Sequence, residues 1–163
     1  MRITPNRTRS AEDFLYRDGH RLRSTFRDLE PRLMARAFWN HLRNRPTAQI
    51  ELVNSSSRLP RSLVADTGAG STRDGYELIL SENDCRLFGG EPARSLILGG
   101  AYSGQFSVYV VQIEIPELAF RRYHRAVGVP SLPSGFDGIA CFRFLNQFYY
   151  GNFGDPKRFG LEL

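Results

Sequence analysis

The chain has 163 residues, room for one ordinary domain plus an extension. Hydrophobic residues make up 41% and charged residues 24%, the balance of a soluble globular protein rather than a disordered or fibrous one. No apolar stretch approaches the ~18 residues of a membrane span. The first residues lack the apolar core of a secretory signal, so a cytoplasmic, reduced protein is expected. Two cysteines and three scattered histidines form neither a disulfide framework nor a metal-ligand spacing, so no metal and no cofactor are expected.

The net charge of +5 is unevenly placed. Residues 1–45 hold 11 arginines against 5 acids, and residues 46–163 hold 11 basic against 12 acidic side chains. The positive charge therefore belongs to an N-terminal arm. Within the arm, Ser10-Ala11-Glu12-Asp13 has the form of a capping box and predicts a short helix to about Arg17, stopped at Gly19. Leu22, Phe26 and Leu29 repeat at helical spacing. Pro31 then opens a third helix with Leu33, Met34, Ala37, Phe38 and Leu42 as its apolar face. This face is expected to pack on the domain with the arginines solvated. Acids interrupt the basic run, so nucleic-acid association is disfavoured. A segment that covers a functional site until removed is the remaining reading.

Pro46 marks the boundary of a second region, 46–163, where the period changes from helical to alternating. Strands are predicted over residues 48–53, 62–65, 76–80, 95–98 and 105–115. Ser81-Glu82-Asn83-Asp84 caps a single-turn helix through Leu87. In the longest strand the alternation slips near Val111, which predicts a bulge. Short strands separated by Gly-rich turns indicate an all-β barrel or sandwich.

One stretch carries chemistry. The apolar run Ser62-Leu63-Val64-Ala65 delivers Asp66 into a turn shaped by Thr67, Gly68 and Gly70. An acid held at a glycine-rich strand end can be set beside a second acid, and two carboxylates sharing one proton can activate water. About 70 residues later comes Phe136-Asp137-Gly138-Ile139, a glycine-containing apolar element.

Asp66-Thr67-Gly68-Ala69 followed by Phe136-Asp137-Gly138-Ile139 resembles the retropepsin-like aspartic proteases, over roughly residues 46–145. The resemblance implies a closed barrel of the acid-protease type, here with the N-terminal helical extension. It implies endopeptidase cleavage of a peptide or protein substrate by an aspartate dyad, one Asp66 from each subunit of a homodimer. Thr67 would brace the two loops, Gly68 would approach the substrate backbone, and Ala69 would complete the loop. Asp137, Gly138 and Ile139 would form the structural layer beneath. Gly70 and Cys141 depart from the pattern; Cys141 stands where the family commonly has Gly, and as a small buried thiol it fits that layer. A non-enzymatic dimerisation or peptide-binding module on the same fold is the alternative. Asp137 as a second catalytic acid within one chain is disfavoured, because Gly138-Ile139 matches the structural strand. The flap expected to close over the peptide is the hairpin tip at Gly99, Gly100, Ala101 and Tyr102, with Gly89-Gly90 as the rival tip. The aromatic tail around Phe148, Tyr149, Tyr150 and Phe153 is expected to bury itself against the arm or a second subunit, with Phe38 and Trp39 as partners.

Overall fold

A computed structural model describes residues 34–163. The helices expected around residues 10–17 and 22–29 lie outside this range. Ten strands and two short helices follow in chain order. They are β1 (Arg36–Asn40), β2 (Thr47–Val53), β3 (Arg58–Asp66), β4 (Leu78–Ser81), α1 (Glu82–Gly89), β5 (Arg94–Leu98), β6 (Gly104–Ile115), β7 (Phe120–Val129), β8 (Gly138–Cys141), α2 (Phe142–Leu145), β9 (Tyr149–Gly151) and β10 (Arg158–Glu162). Among the described residues no helix is long and apolar enough to cross a membrane.

The main sheet runs β2-β3-β8-β4-β7-β6-β5, and a further pairing of β2 with β6 closes six of these strands into a barrel. Pairings are mostly antiparallel. The exceptions, β3 with β8 and β4 with β7, are parallel. All six barrel strands contribute to one apolar cluster, with Leu52, Leu63, Ala140, Leu80, Ala126 and Ile113 among its members. Residues of the opposite parity on the same strands, including Val64, Ile79, Val127, Val129, Ile139 and Cys141, build a second cluster on the outer face. Side chains alternate across a strand. Strands apolar on both faces therefore read in the sequence as continuous hydrophobic runs, as residues 62–65 and 138–141 do.

The long strand β6 keeps one unbroken register with β7, from Val108 opposite Val127 to Ile115 opposite Phe120. The bulge expected near Val111 is absent. The slip has another origin: along its other edge β6 pairs with β5 over residues 104–108 and with β2 over residues 112–114. Where the partner changes, the buried face changes from the outer cluster to the barrel interior.

The helix expected from Pro31 through Leu42 is also corrected. Arg36–Asn40 is strand β1, with Ala37 and Trp39 buried and Arg36, Phe38 and Asn40 exposed. It pairs antiparallel with β10 in a three-stranded sheet completed by β9. Over five residues an apolar pattern at i and i+2 fits a strand as readily as a helix fragment, and the aromatic pair favours the pleated surface. The buried carboxylate of Glu162 on β10 pairs with Arg36 on β1. Phe38 meets Phe153 edge to face at 5.5 Å. Trp39 lies in the barrel cluster together with Phe148 of the tail, and Tyr149 is exposed.

Candidate active site

Val64 and Asp66 share a parity on β3, so the Asp66 side chain leaves the strand on the outer-cluster face. In the parallel pairing of β3 with β8, Asp66 stands opposite Cys141. The chain turns immediately afterwards: Ala69 N donates to Asp66 O at 3.2 Å, and Gly68 N donates to Asp66 Oδ1 at 2.9 Å. This is an Asx turn, in which a short acid fixes its own loop. It engages one carboxylate oxygen only. At Gly70 the backbone takes φ +78°, a left-handed conformation suited to glycine.

The loop is tied down from the β8–α2 junction. Phe142 N donates to Ala69 O at 3.0 Å, and Cys141 N donates to Glu77 O at 3.1 Å. The Cys141 thiol lies buried under the turn. Burial pushes its pKa up, and the nearby carboxylates of Asp66, Asp74 and Glu77 push it further. It is an inert packing thiol, small enough to sit in this layer. Next to it is Tyr76, whose phenol is pushed up to about 12 by burial, then by Cys141 and Asp74.

Residues 70–77 are held by three arginines. Arg143 on α2 donates through Nη1 to Asp74 O at 2.7 Å, and its Nε lies 3.1 Å from Glu77 Oε1. The other Glu77 oxygen accepts from Arg125 N at 2.8 Å, so this buried acid is fully engaged. Arg94 at the start of β5 donates through Nη2 to Gly75 O at 2.8 Å. Its guanidinium occupies the space where a Cβ at residue 75 would be, so a side chain there would displace it.

The hairpin joining β5 to β6 folds back toward this loop. Leu98 pairs with Gly104, leaving residues 99–103 as the tip, with Gly100 at φ +73°. Tyr102 and Ala69 both pack against the outer cluster, so the hairpin and the Asp66 turn share one apolar floor. Burial raises the Tyr102 pKa, with a further push from Cys141. The rival tip at Gly89-Gly90 is the end of α1: Gly90 has φ +71° and its N–H donates to Arg86 O at 3.0 Å.

Asp137 stands elsewhere. Its N–H donates to Ser62 O at 2.9 Å, and its Oδ2 accepts from Ser62 N at 2.9 Å. Asp66 lies four residue steps along the strand from Ser62, roughly 13 Å at ~3.3 Å each. Gly138 packs between strands, where a Cβ would come within 2.6 Å of Ile79 O and 2.8 Å of Leu63 Cδ2. Ile139 lies in the outer cluster beside Cys141.

Two cavities flank the Asp66 turn. A cleft of about 530 Å³ runs from Gly70 to Tyr76 and along β5 from Arg94 to Gly99. On the other side Ala65 and Thr67 face a groove of about 420 Å³ formed with His41, Leu145, Tyr150 and Phe159. Among the described residues no three His, Cys, Asp or Glu side chains converge in a metal-binding arrangement. Asp74, Tyr76, Arg94 and the Glu77–Arg143 pair escaped the sequence reading. Only the glycines bracketing the segment, Gly70 and Gly75, signalled that other groups approach its backbone. No protein-family model matches this chain, and no curated protein matches it.

Proposed function

We propose that the protein is an aspartic endopeptidase of retropepsin type, cleaving peptide bonds with a dyad made by Asp66 of two copies. The observation that carries this reading is the setting of Asp66. It sits at the end of a barrel strand, in a turn that holds one carboxylate oxygen through Gly68 N. Its face of the sheet is overlain by a glycine-containing hairpin.

One chain supplies one such loop. Asp137, the other acid of the paired motifs, is bonded to Ser62 through one carboxylate oxygen and lies roughly 13 Å along the strand from Asp66. A second copy related by a two-fold axis supplies the partner acid without any new structure. Two facing carboxylates share one proton. The ionised one takes a proton from a bound water as that water attacks the scissile carbonyl, and the protonated one donates to the carbonyl oxygen. Gly68, without a side chain, lets the substrate backbone approach the acids. Thr67, projecting on the groove side of the turn, braces the two loops against each other. Residues 99–102, with Tyr102, cover the peptide and exclude water.

The test is cleavage of a mixed peptide library by the full chain from acidic to neutral pH, beside Asp66→Asn, with oligomeric state measured by light scattering. Cleavage by a dimer that vanishes in the variant is expected. A folded dimer that cuts nothing would sink the reading and leave a peptide-binding or dimerisation module on this scaffold.

A further inference from the structure

We infer that the cleft beside Asp66 selects an acidic side chain in the bound peptide, with Arg94 and Arg73 as the selecting groups. The inference rests on the protease reading for where the peptide's scissile bond lies. It does not rest on that reading for what the cleft binds.

Both arginines line the cleft and both are exposed. Among the described residues neither forms an ion pair, whereas Arg143, beside them on α2, is paired with Glu77. Arg94 is pre-positioned. One of its five N–H donors is spent on Gly75 O, which fixes the guanidinium over the loop and leaves donors for a ligand. Among the described residues Asp74 is the one carboxylate lining the cleft against two guanidinium groups, which gives this lining a positive balance. A planar, fixed guanidinium matches a carboxylate in a bidentate pair.

The geometry points to an extended peptide. Among the described residues β5 is the last strand of the sheet, hydrogen-bonded to β6 on one side only. Its free edge borders the cleft, and Ile97 on that edge is 83% exposed. An extended segment can add to such an edge through backbone hydrogen bonds, with alternate side chains meeting alternate strand residues. Arg94, Leu96 and Leu98 share a parity, so a peptide residue meeting Leu96 is apolar and the residue two away, meeting Arg94, carries the carboxylate. Because the cleft begins at Gly70 and not at Asp66, the acidic position flanks the scissile bond and is not one of its two residues.

The experiment uses the full-length Asp66→Asn protein and two pools of blocked ten-residue peptides. The pools are identical except that one carries Asp or Glu, and the other Asn or Gln, two residues from an apolar position. Binding is followed by fluorescence anisotropy, and cleavage of the same pools by the wild type is run in parallel. Tighter binding of the acidic pool by about tenfold is expected. Arg94→Gln should erase most of that preference and Arg73→Gln part of it, with melting temperatures checked for both. Because the Arg73 side chain holds no other group in place among the described residues, its variant keeps the test sharp if Arg94→Gln unsettles the loop. Acidic preference without cleavage by the wild type would support the cleft assignment and overturn the protease. Cleavage with no acidic preference, or a preference unchanged in both variants, would overturn the cleft assignment alone. Neither binding nor cleavage of either pool would overturn both.

Discussion

Asp137 and Ser62 clasp each other through two hydrogen bonds of 2.9 Å, one from Asp137 N to Ser62 O and one from Ser62 N to Asp137 Oδ2. The clasp starts the parallel register that sets Asp66 opposite Cys141 at the far end of β3. The two acids of the paired motifs therefore have different work. Asp137→Asn keeps an oxygen for Ser62 N and should retain cleavage within about threefold, whereas Asp137→Ala should cost ~0.5–1.5 kcal/mol of stability for the lost bond. Asp66→Asn keeps the acceptor for Gly68 N and hence the turn, with little change in melting temperature. Its turnover should fall by ~10²- to 10⁴-fold. Equal losses in the two Asn variants would contradict this division.

Gly138 is the position of the site's underlayer with no room to spare. A methyl group there would meet Ile79 O at 2.6 Å, Leu80 Cδ2 at 2.7 Å and Leu63 Cδ2 at 2.8 Å. The first of these is backbone on a paired strand and cannot move aside alone. Gly138→Ala should destabilise by ~1–3 kcal/mol through overpacking, read from denaturant unfolding of the full chain. Any surviving activity should drop with it, because β8 leads into Phe142, whose N–H holds the Asp66 loop through Ala69 O. Gly100→Ala is the contrast: its Cβ would meet open space, so only the left-handed φ of +73° opposes it.

Much of this was legible in the residues, for identifiable reasons. The strand at 48–53 has an apolar period that matches its burial. Those at 95–98 and 105–115 form, but Ile97 and Val110 within them are exposed. The cap at Ser81 is written in the chain and formed, with Asp84 N donating to Ser81 Oγ at 3.0 Å. β7 escaped because Arg121, Arg122 and Arg125 interrupt it, and no local pattern shows that its last residues are buried on both faces. β1 was misassigned because its identity depends on β10, more than a hundred residues away, which offers the edge that a five-residue fragment needs. At the site the acid and its turn were readable from glycine spacing and an apolar lead-in. Arg94 and Arg143 were not, since what they touch is fixed by barrel closure.

Tyr102 joins the hairpin tip to the floor under Ala69. Replacing it by Ala should loosen the tip and lower kcat/KM by about tenfold or more, while the barrel's unfolding transition moves little. Tyr102→Phe keeps the ring and should behave as wild type. Limited proteolysis gives an independent readout, with cleavage within residues 99–103 accelerated in Tyr102→Ala only. Unchanged kcat/KM in Tyr102→Ala would mean that the hairpin does not cover substrate.

His124 on β7 sets a limit on the acid stability of the fold. It is buried among Phe120, Phe144 and Phe148; Phe120 stacks on it at 5.7 Å and Phe144 meets it edge-on at 5.2 Å. Among the described residues its Nε2 finds no hydrogen-bond partner. Burial, with a smaller push from Arg122, lowers its pKa from 6.5 to about 4. The unfolded chain therefore binds a proton near pH 6.5 that the folded chain resists until about pH 4. Stability should be complete above pH 6.5 and fall as pH drops through that window, by on the order of 3 kcal/mol at its lower end. His124→Phe removes both the titration and the orphaned nitrogen in a site already lined by aromatic rings. Its melting temperature should stay nearly flat across this window if neighbouring carboxylates contribute little, and should match or exceed the wild type at pH 7. Parallel curves for the two proteins between pH 6.5 and 4 would show that other groups govern acid unfolding.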